Sequence, residues 1–135
     1  MLENGATAEA SYIATARDMA SALAISEEDQ FPEVFSTSRM IALMETAAAR
    51  VIKPLVQSGQ LSVGVMVNIK HLAATPNHTQ VSARATYIGM EGKLYKFRVE
   101  AFDPGGKIGE GEHTRAIIDT GRLIQSARSR LEGKA

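Results

Sequence analysis

Cysteine is absent from all 135 residues. That excludes disulfides, thiolate nucleophiles and cysteine-ligated metals. A reducing compartment is compatible with this, and a cytoplasmic location is the expectation. An excess of either charge is also missing, since Lys plus Arg and Asp plus Glu both total 15. No bulk field draws the chain to nucleic acid or to anionic lipid, so neither is expected as a partner. No apolar run approaches the about 20 residues that a membrane span requires. The opening MLENGATAEA is neither basic nor apolar and does not read as a signal peptide. Histidine is scarce, with three in all and none at metal-site spacing, so no metal is expected. A Gly-x-Ser-x-Gly nucleophile elbow, an internal repeat and a linker are missing as well.

Against these absences stands a chain that is 44% hydrophobic and of a length suited to one domain with a sizeable core. A single domain over 1–135 is expected, with residues 1–9 fraying and 120–135 forming a tail or short helix. In that tail Leu123, Ile124, Ala127 and Leu131 recur at helical spacing beside Arg128 and Arg130. Packing against the domain is the better reading of that stripe than a membrane-surface helix. Residues 10–24 mix alanine with β-branched residues, and a strand is expected around Ala10–Met19. Ser26-Glu27-Glu28-Asp29-Gln30 reads as an acidic loop.

The firmest element is the helix TSRMIALMETAAARVI, residues 37–52. Met40, Ile41, Met44, Ala48, Val51, Ile52 and Leu55 recur every three or four residues and form one apolar stripe. Ser36, Thr37 and Ser38 offer hydroxyl caps, while Pro54 and Gly59 end the run. One carboxylate, Glu45, stands at the border of this stripe. Either its stem packs at the rim and its carboxylate reaches solvent or an Arg, or a pocket or partner subunit covers that edge. In the second case the group suits acid–base work.

Beyond Gly59 the period becomes two. Leu61, Val63, Val65, Val67 and Ile69 alternate with polar or small residues, as do Val81, Ala83, Ala85 and Tyr87, then Tyr95, Phe97, Val99 and Ala101. Such alternation marks antiparallel strands with one covered face. Gly89-Met90-Glu91-Gly92 and Asp103-Pro104-Gly105-Gly106 carry turn chemistry, and Lys107–Asp119 makes the last strand. The expected class is α+β, a five-stranded antiparallel sheet wrapped around a long central helix. His71 ends the first strand after the helix. His78 reads as a loop residue and His113 as structural within the last strand. Gly109-Glu110-Gly111 reads as a bulge or close backbone approach.

Three blocks, in order and at matching intervals, resemble the fluoroacetyl-CoA thioesterase-like branch of the hot-dog-fold acyl-CoA thioesterases. They are Phe31-Pro32-Glu33-Val34-Phe35-Ser36-Thr37 with Met40 and Leu43-Met44-Glu45, then His71-Leu72-Ala73-Ala74-Thr75-Pro76, then Gly109-Glu110-Gly111-Glu112-His113-Thr114-Arg115-Ala116. The resemblance covers roughly residues 8–120. It implies a catalytic hydroxyl, acid and imidazole at Thr37, Glu45 and His71, and substrate-binding roles for Phe31, Phe35, Gly64 and Arg115. It further implies a homodimer with active sites at the subunit interface and no cofactor, CoA being part of the substrate.

Two positions depart from the branch. The fluoroacetyl-CoA enzyme carries a second lid aromatic where this chain has Glu28, and a Trp where it has Thr46. Hydrolysis of a different acyl-CoA, or of an acyl-carrier-protein thioester, is therefore expected. Whether Thr37 or Glu45 attacks the thioester or positions water stays open. The competing readings are a non-catalytic acyl-thioester-binding protein and a dehydratase or hydratase. The last is weakened because no histidine occurs in residues 1–70. Lys70, Arg84, Arg98 and Arg115 are the candidate cations for CoA phosphates, although lone strand cations more often face solvent.

Overall fold

The computed structural model describes residues 2–134. The two sequence periods become two layers. The 3.6-residue stripe forms helix α1, Thr37–Ile52, and the alternating segments form strands β2 (Gln60–His71), β3 (Thr79–Glu91), β4 (Leu94–Asp103) and β5 (Gly106–Asp119). Strand β1, Thr7–Ala14, precedes the helix, and a second helix, α2, Thr120–Ser129, follows β5 without a loop. All five strands form one antiparallel sheet in the order β1-β3-β4-β5-β2. Helix α1 links the two edge strands and touches every strand of the sheet. This is the hot-dog arrangement.

Alternation delivers one strand face to the helix. Val81, Ala83, Ala85 and Tyr87 of β3, and Phe97, Val99 and Ala101 of β4, are buried against Met40, Leu43, Met44, Ala47, Ala48, Val51 and Ile52 of α1. Each fully buried large side chain in this layer contributes about 1.5–3 kcal/mol. The alanines let sheet and helix approach, and the methionines fill what remains.

The start of α1 is pinned from both sides. Ser36 Oγ accepts from the Arg39 amide at 3.1 Å, capping the helix. Buried Asp18 accepts the Thr15 N–H at 2.9 Å through its carboxylate, and its own carbonyl accepts the Ser36 N–H at 3.0 Å. On the other side the Phe35 N–H donates to the Thr75 carbonyl at 2.8 Å, and Thr75 donates to Asp103 at 2.7 Å. The helix entry is thereby tied to the loop that follows His71. The far end closes in a 3-10 turn, Lys53–Leu55, around Pro54.

Four expectations are corrected. The first strand starts at Thr7 and stops at Ala14, with short 3-10 turns at Ala16–Asp18 and Ala20–Leu23 where strand had been expected up to Met19. Thr7–Glu9 pair with Arg84–Thr86 rather than fray; Met1 lies outside the described residues. In β2 the alternation does not bury one face. A bulge at Val65 shifts the register between Gly64 and Met66, and Leu61, Val65 and Val67 are 57%, 54% and 40% exposed. Helix α2 does form, capped by Asp119, yet none of its residues is buried. It continues straight from β5 with no turn to fold its apolar stripe back onto the domain.

Candidate active site

Thr37 is the first residue of α1 and His71 the last of β2, so helix entry and strand end bring them together. Thr37 Oγ1 and His71 Nδ1 share a 2.8 Å hydrogen bond. His71 Nε2 is buried and has no partner. Burial pushes the His71 pKa below its ordinary 6.5, with the Ala73 backbone opposing in part. At neutral pH the imidazole is therefore an uncharged base beside a hydroxyl. The pair opens into a hollow of about 430 Å³ lined by Phe31, Pro32, Phe35, Leu72 and Ala74. Phe31 is half exposed at its mouth. Phe35 is fully buried beneath it, edge-on to Tyr12 at 6.5 Å.

Glu45 belongs to a second cluster. Its Oε2 accepts from Arg115 Nη1 at 3.0 Å and lies 3.8 Å from His113 Nε2. Arg115 is 7% exposed, and its Nε and Nη2 donate to the Ser62 hydroxyl and carbonyl, both at 3.0 Å. Arg115 pairs with Gly64 across the β2–β5 ladder. A Cβ on Gly64 would overlap the Glu45 carboxylate and crowd His113. The carboxylate opens into a larger hollow of about 670 Å³ along the flank of α1, lined by Ala42, Thr46, Ala49 and Leu61.

The expected site residues thus fall into two groups. Thr37 and His71 meet, with Phe31 and Phe35 around them, and Glu45 meets Gly64 and Arg115. Glu45 and His71 share no contact. Thr37 and Glu45 are eight residues apart on one helix, which is about 12 Å along the axis and about 80° around it. Within the chain the Glu45 carboxylate lies in the space beside Gly64, and the Arg115 donors engage Ser62, His113 and Glu45. Arg84 and Arg98 are likewise paired, with Glu9 at 3.1 Å and Glu110 at 3.6 Å.

Sequence reasoning did not connect His113 or Ser62 with Glu45. A signal existed: His113 and Arg115 are two apart in a strand and so share a face. Gly109 and Gly111 fit the close-approach reading, since a Cβ would strike Met40 at the first and the Asn68 backbone at the second. His78 is a loop residue with a left-handed φ of 59°. Among the described residues no group of His, Cys, Asp and Glu has the arrangement of a metal site, and no helix is long and apolar enough to cross a membrane.

A five-stranded antiparallel sheet around one helix, with a hydroxyl–imidazole pair at the first turn and a carboxylate midway along, defines a hot-dog protein of the thioesterase kind. More narrowly, the chain belongs to the fluoroacetyl-CoA-specific thioesterase (FlK) family, whose model matches residues 16–121. It is 40% identical over 89 residues to a fluoroacetyl-CoA thioesterase of Streptantibioticus cattleyicolor; the match spans 66% of this chain and 64% of that protein's length. The solved structure of the fluoroacetyl-CoA thioesterase FlK superposes with a TM-score of 0.89 at 31% identity, over 96% of this chain and 97% of that one. A variant of FlK in complex with acetyl-CoA gives 0.89 at 30% identity, over 96% and 98%.

Proposed function

We propose that the protein hydrolyses an acyl-CoA thioester to the free acid and CoA in the cytoplasm, using Thr37, His71 and Glu45. The observation that carries this reading is the 2.8 Å hydrogen bond between Thr37 Oγ1 and His71 Nδ1 at the N-terminus of a 16-residue helix. A helix start offers free N–H groups and the positive end of the dipole, which stabilise charge developing on a carbonyl oxygen. His71 Nδ1 takes the hydroxyl proton as Thr37 Oγ1 attacks the thioester carbon. The tetrahedral oxyanion collapses, the C–S bond breaks, and the CoA sulfur leaves with the proton held on His71. Water, deprotonated by the same imidazole, then releases the acid from Thr37. A route in which His71 or Glu45 activates water directly uses the same groups and skips the acyl-threonine.

In this reading Glu45 comes from a second copy. The about 12 Å between Thr37 and Glu45 along α1 keeps them from one carbonyl within a chain. Edge strand β2 carries exposed Leu61, Val65 and Val67, the composition of an edge that pairs with another chain. Pairing β2 with β2 about a two-fold axis runs the two α1 helices antiparallel. The reading requires this pairing to bring Glu45 of the partner subunit opposite Thr37 and His71. The chemistry draws only on the protein's own groups. Selectivity for fluoroacetyl-CoA is not carried over, because Glu28 and Thr46 replace the aromatics of that enzyme. The substrate is another acyl-CoA or an acyl-carrier-protein thioester.

The test is thiol release from a panel of acyl-CoAs. Hydrolysis by the wild type is expected, with kcat reduced by about 10²–10⁴ in His71→Ala. Tight binding without thiol release identifies a binding module instead. Full kcat in His71→Ala on the best substrate ends the assignment.

A further inference from the structure

We propose that His113 is a positioning residue, holding the Arg115 guanidinium in one orientation and, through it, the Glu45 carboxylate where hydrolysis needs it. The inference rests on the thioesterase reading above and adds to it a group outside the expected hydroxyl, acid and imidazole. The partners of His113 fix its tautomer. Nδ1 lies 2.7 Å from the Met66 carbonyl oxygen, which only accepts, so Nδ1 carries the proton. Nε2 lies 3.1 Å from Arg115 Nη1, and a guanidinium only donates, so Nε2 presents a lone pair. At 1% exposure no solvent competes for either nitrogen.

One Nη1 proton of Arg115 therefore goes to His113 and the other to Glu45, while Ser62 holds Nε and Nη2. Four of the five guanidinium N–H donors are thereby engaged, which holds its plane beside the carboxylate. The β2 bulge at Val65 belongs to this device, since it lies just before the Met66 carbonyl that His113 meets. The ring of Phe97, 6.3 Å away, packs against the imidazole.

A neutral acceptor is what the position requires. A carboxylate at 113 would compete with Glu45 for the Arg115 charge. A protonated imidazole would aim an N–H at an N–H and place a second cation beside Arg115. Burial, with Arg115 adding, lowers the His113 pKa against the opposing pull of the Met66 contact and Glu45.

The test compares His113→Leu and His113→Gln in the full chain. A glutamine amide can donate to Met66 and accept from Arg115, whereas leucine does neither. His113→Leu is expected to lower kcat about 10²-fold while KM stays within about threefold, because the carboxylate is displaced rather than the pocket. His113→Gln is expected to recover kcat to within about tenfold of wild type. In parallel, nitrogen-15 spectra of the wild type are expected to show His113 as the Nδ1–H tautomer. The Arg115 Nη1–H signals, whose protons face His113 and Glu45, are expected to persist in wild type and His113→Gln and to vanish in His113→Leu.

Unchanged kcat in His113→Leu overturns the proposal. So does a folded His113→Gln that is no better than His113→Leu, or an Nε2–H tautomer in the wild type. Should His113→Leu not fold, the His113→Gln kcat and the tautomer decide. The spectroscopic arm needs no substrate. An absence of thiol release thus counts against the hydrolase reading, while the spectra still decide whether His113 holds Arg115.

Discussion

At the scale of single residues, His71 has the sharpest consequence. A general base works only when unprotonated, and burial moves the His71 pKa below 6.5. With His71 as the proposed base, activity is expected above that pKa and is lost as pH falls through it. kcat/KM measured on the best acyl-CoA is expected to be flat through neutral pH and to drop on an acid limb centred below 6.5. A limb centred above neutrality removes His71 from the role of base. The partners of His71 were legible only in part. Sequence placed it at a strand end before a loop, and the loop's tie to Phe35 through Thr75 brings it to Thr37. That tie joins backbone groups 40 residues apart in number, which no local pattern carries. His113 was legible as a strand histidine bonded within the sheet. Its second nitrogen, on Arg115, needed the knowledge that this face of β5 would meet Glu45.

At the scale of elements, α1, β3 and β4 follow directly from their periods, because each has one face against the core and one against water. β1 was blurred because its alanines suit helix and strand alike. β2 was misjudged because the bulge at Val65 breaks its alternation and because an edge strand of a lone chain has no cover to explain its apolar side chains. Two glycines on the β2–β5 ladder separate chemistry from stability. At Gly64 an added Cβ meets the tip of a flexible Glu45 side chain, whereas at Gly111 it meets Asn68 and Ile69 backbone. Gly64→Ala is thus expected to displace the carboxylate, cutting kcat about tenfold or more with a small loss of stability. Gly111→Ala has nowhere to go and is expected to cost about 1–3 kcal/mol in urea unfolding while sparing kcat per folded molecule. Equal effects of the two substitutions on kcat would mean that Glu45 is not where catalysis needs it.

At the scale of the whole molecule, the chain carries two separate clusters, a hydroxyl–imidazole pair in one hollow and an Arg-held carboxylate in another. The proposed two-fold dimer would make the two clusters complementary, and its symmetry has a consequence that no single-chain site shares. In a mixed dimer of His71→Ala and Glu45→Gln, one site inherits both defects and the other inherits neither. Random reassortment of equal amounts makes half the dimers mixed, so about a quarter of the wild-type sites are restored. Each variant alone is expected to be nearly inactive. Mixing them under conditions that exchange subunits is expected to raise thiol release towards that quarter on the time scale of exchange. If each site were completed within one chain, every site in the mixture would keep a defect, and no recovery would follow however long the subunits exchanged.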